Sequence, residues 1–552
     1  MAQRSLSERL KKIVEGDVLD DAETRTLYSH DTSIFEMRPS VVVFPKHAND
    51  VAALVSFVKK AREEGEDISL TARAAGTDMT GGPLTSSIVM VFTKYMNHIR
   101  EVGEDFAITE PGVYYRDFEA ATLKKGLLMP SYPASREICA MGGIVNNNAG
   151  GERTLSYGKT ERYVEEVSVT LSDGSTAVFG PQSMQELAQK KKQDTLEGEI
   201  YRRMHALIEE HYDEIMAAKP TVTKNSAGYA LWNVFDKERG TFNLAKLIVG
   251  SQGTLAIMNE AKIKLIRPKA HRAMLIIFLS DLDPLPEIVE RVLKEKPESF
   301  ESYDDHTFTL ALKFLPDIAK GMGGKRFLSL GFSFFSEGLM LARGGIPKLV
   351  LLAEFAEDTA KEAQAKANAA WSALRSLNLR ARIAKNENES RKYWIVRRES
   401  FNLLRKNLHG LHACPFIDDF VVHPKDLPTF LPELNVLLSK YKLTYTIAGH
   451  VGDANFHIIP LMDLSDPKAR QIITELSPKV YELVIRYHGS TTGEHNDGLI
   501  RTPYLSLMFS PRMLELFART KQIFDPLNIF NPGKKVTLVA TDIKEHMMTH
   551  AA

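Results

Sequence analysis

An α+β fold with more than one domain is predicted by three features of the chain. A strand–helix–strand unit is indicated early, where apolar runs at Val41–Phe44 and 68–71 flank a helical pattern of apolar residues spaced three and four apart. After Pro268, a strand is followed by a helix twice, over residues 274–296 and 349–374, which predicts an antiparallel sheet covered by helices. A chain of 552 residues is too long for one core, so two or three domains are expected.

The composition narrows the class of protein. Lys+Arg and Asp+Glu both number 70, so the formal net charge is zero, which argues against a nucleic-acid binder held by bulk charge. Cys139 and Cys414 have no paired spacing and predict neither a disulfide framework nor a zinc ribbon, so we expect a reducing, cytoplasmic location. The polar N-terminus does not look like a secretory signal, and no run approaches the ~18 apolar residues of a spanning helix. A peripheral contact at the inner face of the membrane stays open.

A loop rich in small residues follows the strand at 68–71 and reads ARAAGTDMTGG. Small residues let the backbone approach a ligand, and successive N–H groups in such a turn form a nest that favours an anion, typically a diphosphate. Arg73 adds positive charge at its entrance. The alternative is an ordinary tight turn. Two later stretches, MGGIVNNNAGG from Met141 and the loop GSQGT before an alternating strand, are suited to meeting the same ligand.

Two histidines are candidates for a metal site. His450 and His457 are seven residues apart, and the turn sequence Gly452-Asp453-Ala454-Asn455 between them predicts a hairpin that brings the imidazoles together. Downstream, Glu494 and His495 follow a helix stop, and two His with one carboxylate suit a divalent metal that also binds substrate. The alternative is that each histidine is an ordinary hydrogen-bonded residue. Arg397 is either a clamp for a substrate carboxylate or a surface residue packed on Trp394.

The order of these motifs resembles that of flavin-dependent dehydrogenases of the vanillyl-alcohol-oxidase type, which have a PCMH-type FAD-binding domain. The matching pieces are ARAAGTDMTGG, MGGIVNNNAGG, VGSQGTLAI, GHVGDANFH, GEH and FNPGK. Within that family the chain is most similar to the D-lactate, glycolate and D-2-hydroxyglutarate dehydrogenase group. The implied fold is a PCMH-type FAD-binding domain of two α/β subdomains, an α+β substrate (cap) domain with an antiparallel sheet, and a C-terminal helical segment returning to the flavin.

The resemblance and the composition together set the expected domain limits. They are 1–267 for the FAD-binding domain, 268–475 for the substrate domain, 476–540 for the C-terminal helical segment and 541–552 for a mobile tail. Ser477-Pro478 is the expected start of a helix at the beginning of the C-terminal helical segment.

The resemblance also implies roles for individual residues. It assigns the FAD diphosphate to Arg73, Ala74, Ala75, Gly76, Thr77, Asp78, Gly81 and Gly82, and the flavin to Gly142, Gly143, Asn147, Asn148, Gly253, Ile257 and Asn531. It matches His450, His457 and Glu494 to ligands of zinc, manganese or iron, His495 to the catalytic base, and Arg397 and Asn455 to substrate contacts. The diphosphate loop contains no His or Cys, so the flavin is expected to be non-covalent.

The implied reaction is oxidation of a D-2-hydroxy acid by hydride transfer to the flavin, with metal-assisted deprotonation of the hydroxyl. Where the dicarboxylate enzymes have a Thr and a Lys, this chain has Phe401 and Ile417, and Asp418 and Asp419 add negative charge. These departures favour a monocarboxylate, and D-lactate oxidised to pyruvate is the expected reaction. The electron acceptor stays open between a quinone, a cytochrome, an electron-transfer flavoprotein and oxygen, as does a homodimer.

Three other functions stay open at this point. The first is D-2-hydroxyglutarate dehydrogenase. The second is a flavin transferase similar to alkylglycerone-phosphate synthase, which has no need of the metal triad and requires a lipid-binding channel. The third is a catalytically idle flavin- or metal-binding module.

Overall fold

The structure is a computed structural model that describes residues 5–305, 346–406, 410–536 and 543–549. The chain forms two compact units. The first comprises Met1–Gly151, Gly158–Pro268 and Ser490–Met548, and the second comprises Glu152–Tyr157, Lys269–Gly489 and Thr549–Ala552. The mixed α+β architecture with antiparallel sheets confirms the predicted fold class.

The strands of the first unit are β1 Asp17–Leu19, β2 Val41–Phe44, β3 Leu70–Arg73, β4 Ile88–Val91, β5 Ile99–Val102, β6 Phe106–Thr109, β7 Val164–Thr170, β8 Thr176–Phe179, β9 Pro181–Ser183, β10 Phe235–Asp236, β11 Thr241–Asn243 and β12 Ile257–Lys264. Its helices are Leu6–Leu10, Ala22–Leu27, Ala48–Glu63, Tyr115–Leu123, Met141–Asn147, Met184–Lys190, Leu196–Glu210, Tyr212–Ala217, Ala245–Ile248, Gly498–Arg501, Leu505–Met508 and Pro511–Phe524.

The first unit contains three sheets. One has the order β1-β2-β4-β3, in which β4 runs parallel to both β2 and β3. A five-stranded antiparallel sheet has the order β5-β6-β12-β7-β8, and a smaller sheet has the order β10-β11-β9. Helix Ala48–Glu63 buries Val51, Leu54, Val55 and Val58 in the same core as β2 and β4, which confirms the helical face that the spacing predicts.

The second unit contains β13 His271–Leu279, β14 Ser299–Asp304, β15 Leu349–Glu357, β16 Arg380–Ile383, β17 His412–Ala413, β18 Phe420–Val421, β19 Thr444–His450 and β20 Asn455–Met462. They form one antiparallel sheet in the order β16-β13-β15-β14-β19-β20-β17, and β18 also pairs with β20. The helices are Thr154–Tyr157, Leu285–Leu293, Ala360–Ala373, Glu387–Lys406, Leu427–Ser439 and Pro467–Arg486. The Ala-rich helix Ala360–Ala373 contacts β13 and β15 through Ala363, Ala367 and Ala370.

Two expectations about the C-terminal part differ from the structure. The helix expected to begin at Pro478 begins at Pro467 and contains Pro478 in its interior, where buried Ser477 donates to the carbonyl of Ile473. Part of the segment expected to be a mobile tail is packed, because Met547 pairs with Phe35 and Met548 is buried. Among the helices of the described ranges, none has the length and apolar character to cross a bilayer.

Asp525 fixes the loop that follows the last long helix. Its buried carboxylate accepts hydrogen bonds from the N–H groups of Ile529 (3.0 Å) and Phe530 (2.8 Å) and from the ammonium group of Lys521. Because Asn531 is the next residue, this carboxylate sets the position of an expected cofactor residue.

We predict that Asp525→Ala lowers the free energy of unfolding by about 3–5 kcal/mol, because it leaves a buried ammonium group without its carboxylate. Glu515→Ala is the matched control, since Glu515 on the same helix makes an exposed ion pair with Arg512. Chemical denaturation of both variants checks the prediction, and equal midpoints would contradict it.

Candidate active site

The loop after β3 has the features of an anion-binding nest. Gly76 has a φ of +71°, and a Cβ there would overlap the guanidinium of Arg73. Within the described part of the chain, the backbone N–H groups of residues 74–77 donate no hydrogen bond to the protein. Successive N–H groups that have no acceptor in the protein, with one residue in the left-handed region, are typical of a nest for phosphate.

Two partly buried carboxylates accept hydrogen bonds from the N–H groups at the end of the same loop. Asp31 accepts from Gly81 N at 2.9 Å, and Asp78 accepts from Gly82 N at 2.7 Å and from the Thr80 hydroxyl at 2.6 Å. These contacts use the N–H groups of Gly81 and Gly82 within the protein. Residues 74–77 are therefore better suited than Gly81 and Gly82 to hold a diphosphate.

Three further segments meet this loop within the first unit. The side-chain amide of Asn147 donates to Asp78 at 2.8 Å, and the N–H of Gln252 donates to the carbonyl of Asn146 at 2.9 Å. The side-chain amide of Asn531 donates to the carbonyls of Gly82 (2.9 Å) and Gln252 (2.7 Å). The structure thus brings together the stretches that the sequence motifs single out.

Two of the predicted flavin residues have other roles in the structure. Asn148 has a φ of +50° at the C-terminus of helix Met141–Asn147. Its Nδ2 donates to the carboxylate of Glu161, and its Oδ1 accepts from the N–H of Glu161. Ile257 is fully buried in the core formed with helix Ala48–Glu63. Its side chain therefore packs in the core, and its expected contact with the flavin stays a prediction.

Arg73 fits a negatively charged cofactor. Its Nη2 donates to the carbonyl of His30 at 2.6 Å, and its guanidinium lies 5.4 Å from the centre of the Tyr28 ring. Its Nη1 is buried and has no hydrogen-bond partner among the residues that the structure describes. The diphosphate of FAD would accept hydrogen bonds from Arg73 Nη1 and from the N–H groups of residues 74–77.

The charges around the loop are set by burial. Burial and the neighbouring charge of Asp78 raise the pKa of Asp31 to about 7. Burial lowers the pKa of Lys534, whose ammonium group donates to the carbonyl of Leu84 and to Asn531, to about 7. Arg73 keeps its positive charge near neutral pH, because a guanidinium does not lose its proton in proteins.

In the second unit, β19 and β20 form the hairpin that the sequence predicts. Ala454 takes the left-handed conformation, with a φ of +50°, in the turn between the strands. The rings of His450 and His457 lie with their centroids 5.2 Å apart. This confirms that the turn brings the two imidazoles together.

Each imidazole is oriented by a buried carboxylate. His450 Nδ1 lies 2.6 Å from Glu301 Oε1, and His457 Nδ1 lies 3.0 Å from Asp418 Oδ1. A carboxylate can only accept, so the proton sits on Nδ1 and Nε2 is the nitrogen suited to bind a metal. Histidines that bind metals commonly have this arrangement, which supports the predicted role of both residues.

Arg397 and Asn455 are also held by carboxylates. Arg397 Nη2 lies 3.3 Å from Glu301 Oε2, and the side chain is only 12% exposed, so the alternative of a surface arginine is wrong. Asn455 donates through Nδ2 to Asp419 (3.1 Å) and to the carbonyl of Phe420 (3.2 Å).

Glu494 and His495 belong to the first unit. Glu494 Oε2 lies 3.2 Å from the buried ammonium group of Lys224, and His495 Nε2 lies 4.0 Å from Glu494 Oε1. Sequence analysis did not identify Lys224 or Glu301. Lys224 is 270 residues from its partner and Glu301 is 149 residues from His450, so no local spacing links either pair.

Family comparisons agree with this organisation. Residues 39–180 match the FAD binding domain family, and residues 268–535 match the family of FAD linked oxidases, C-terminal domain. Together these matches cover the loop after β3, the hairpin that carries His450 and His457, and the segment around Asn531.

Individual relatives include several 2-hydroxy-acid enzymes. The chain is 29% identical over 529 residues to D-2-hydroxyglutarate dehydrogenase of Pseudomonas putida, covering 95% of this chain and 50% of that protein. It thus spans about half the length of that relative. It is 27% identical to D-lactate dehydrogenase of Archaeoglobus fulgidus, covering 90% of this chain and 91% of the relative.

A solved structure supports the fold. The crystal structure of p-cresol methylhydroxylase with substrate bound has a TM-score of 0.66 at 14% identity and covers 96% of both chains. At that identity the likeness shows the fold alone. The PCMH-type fold predicted from the sequence is thereby confirmed.

Adjacent glycines at the start of helix Met141–Asn147 generate a prediction. A Cβ at Gly142 would lie 2.7 Å from Cβ and 2.9 Å from the carbonyl oxygen of Pro111. A Cβ at Gly143 would meet Ala74 Cβ at an ordinary 3.7 Å, with no other heavy atom of the described chain outside its own helix nearer than 4 Å. The protein itself therefore requires glycine at 142 but not at 143.

We predict that Gly142→Ala destabilises the FAD-free protein through the clash with Pro111. Gly143→Ala raises its stability by up to about 1 kcal/mol, because alanine favours a helix, yet lowers FAD affinity about tenfold or more. Thermal unfolding without FAD and titration with FAD separate the two effects. Unchanged FAD affinity in Gly143→Ala would contradict the assignment of Gly143 to the cofactor surface.

Proposed function

Because the chain carries the FAD-binding domain and the C-terminal domain of FAD-linked oxidases, we propose that it oxidises a D-2-hydroxy acid, converting D-lactate to pyruvate. The observation that carries this proposal is the pair of imidazoles in the second unit, each with its Nδ1 on a buried carboxylate, together with Arg397 on one of the same carboxylates. This donor set is suited to a divalent metal and a carboxylic acid.

The proposal gives the chain's residues the following roles. His450 and His457 would hold a divalent metal through Nε2, and the resemblance implies Glu494 as a third ligand. Zinc, manganese and iron all accept imidazole and carboxylate ligands, and such a metal acts as a Lewis acid that lowers the pKa of a bound hydroxyl. Residues 73–78, together with Gly143 and Asn531, would hold FAD, which would supply the hydride acceptor.

Arg397 binds and orients the carboxylate of the acid. His495 takes the proton of the 2-hydroxyl group, while the hydrogen on C2 leaves with its electron pair and the C–O bond becomes a carbonyl. Holding the acid at its carboxylate and hydroxyl fixes which hydrogen faces the acceptor. This fixed orientation is the physical basis for selecting the D enantiomer.

A monocarboxylate is favoured by the surroundings of Ile417. Ile417 is fully buried and its side chain is apolar, so its position offers no polar contact to a second carboxylate. Asp418 and Asp419 follow directly and are also buried. The side chain of Phe401, the other departure from the dicarboxylate pattern, lies outside the described residues.

The proposal also extends to the surroundings of the enzyme. Both cysteines, Cys139 and Cys414, are free and buried, which supports a reducing, cytoplasmic location. The electrons taken from the acid pass to a quinone, a cytochrome or an electron-transfer flavoprotein.

The test is anaerobic bleaching of the flavin by D-lactate, L-lactate and D-2-hydroxyglutarate, before and after treatment with a chelator. We predict that D-lactate bleaches the flavin fastest, that L-lactate does not, and that bleaching is lost on metal removal and restored by Zn²⁺ or Mn²⁺.

The other outcomes are equally informative. Bleaching by D-2-hydroxyglutarate alone would contradict the monocarboxylate assignment based on Ile417. Bleaching that survives complete metal removal would contradict the metal-assisted reaction. A flavin that no hydroxy acid bleaches would favour the transferase or the idle binding module.

A further inference from the structure

Glu301 joins two functional groups that are distant in the sequence. It lies on β14, its side chain is 2% exposed, and its two carboxylate oxygens contact different partners. Oε1 lies 2.6 Å from His450 Nδ1 on β19, and Oε2 lies 3.3 Å from Arg397 Nη2 on helix Glu387–Lys406. One buried carboxylate thus spans a candidate metal ligand and a candidate substrate clamp.

The neighbouring acidic residues do not share this arrangement. Glu298, which directly precedes the strand, contacts Arg272 at 3.3 Å, Arg153 at 3.5 Å and the hydroxyl of Tyr157 at 3.0 Å. Asp304, at its end, accepts a hydrogen bond from Ile447 N at 2.7 Å. Glu301 thus contacts two candidate site residues, whereas these contacts of Glu298 and Asp304 involve neither His450 nor Arg397.

We propose that Glu301 is a positioning residue that holds His450 and Arg397 in a fixed relative position. One acid can then bind at the same time through its hydroxyl at the metal site and through its carboxylate at Arg397. This inference rests on the proposed function. It assigns to Glu301 no contact with substrate or metal.

The chemistry of a 2-hydroxy acid explains why such a link matters. Its hydroxyl and carboxylate are on adjacent carbons, so the groups that bind them must be placed relative to each other within a fraction of an ångström. A misplacement of about 1 Å can cost roughly 100-fold in rate. His450 is on a strand and Arg397 is on a helix, so a shared buried carboxylate is a direct way to fix one against the other.

Burial strengthens the link. Hydrogen bonds to a charged acceptor are stronger than neutral ones, and a medium of low polarity increases that difference. The negative charge of Glu301 also offsets the charge of Arg397, whose side chain is 12% exposed. Replacing this carboxylate by an amide therefore removes one acceptor oxygen and takes the negative charge away from both partners.

The test compares Glu301→Gln and Glu301→Asp with Glu298→Gln in the full-length, FAD-loaded protein. Gln keeps the shape of Glu301 but has a single acceptor oxygen, whereas Asp keeps the charge but is too short to reach both partners. We predict that both Glu301 variants bind Zn²⁺ and Mn²⁺ about 10- to 100-fold more weakly and have a raised KM for D-lactate. Glu298→Gln has a thermal stability equal to or lower than that of the Glu301 variants, but it keeps the wild-type metal affinity and KM.

A double-mutant cycle tests the link itself. Arg397→Lys raises KM on its own, and exposed Arg391→Lys on the same helix is its control. We predict that the double variant Glu301→Gln/Arg397→Lys raises KM by less than the product of the two single increases. The reason is that both substitutions remove the same interaction.

Either of two results would overturn the inference. One is a Glu301→Gln protein with wild-type metal affinity and KM, and the other is strict additivity in the cycle. Failure of the proposed function is distinct, because wild-type protein would then bind no divalent metal or show no bleaching by any 2-hydroxy acid. That result would remove the basis of both proposals at once.

Discussion

Carboxylates that are buried or partly buried and accept hydrogen bonds fix the candidate functional groups in both units. Asp31 and Asp78 hold the end of the nest loop through the N–H groups of Gly81 and Gly82. In the second unit, Glu301 and Asp418 orient the two imidazoles of the hairpin. A buried carboxylate is costly unless donors surround it, so each of these positions constrains the groups that supply those donors.

This constraint explains which parts of the site are rigid. The N–H groups of residues 74–77 and the Nη1 atom of Arg73 donate to nothing in the described chain, whereas the adjacent N–H groups are satisfied by the protein. The nest is therefore shaped before a ligand arrives. Preorganised donors of this kind bind an anion without the entropic cost of ordering a loop.

Local features could be predicted from the sequence, and long-range contacts could not. The turn residues between His450 and His457 predict their juxtaposition, and apolar spacing predicts the buried face of helix Ala48–Glu63. Glu301 has no such signal, because its partners become neighbours only when the sheet forms. Pro478 gave a misleading local signal, because packing of the buried residues around it maintains a longer helix.

The proposed reaction depends on a metal site formed by the paired imidazoles. The most direct test is X-ray absorption spectroscopy at the zinc edge of the FAD-loaded protein after loading with one equivalent of Zn²⁺. The account predicts nitrogen and oxygen ligands at about 2.0–2.1 Å that include two imidazoles, and loss of imidazole scattering in His450→Ala and His457→Ala. A sulfur shell, or a spectrum without imidazole scattering in the wild-type protein, would contradict it.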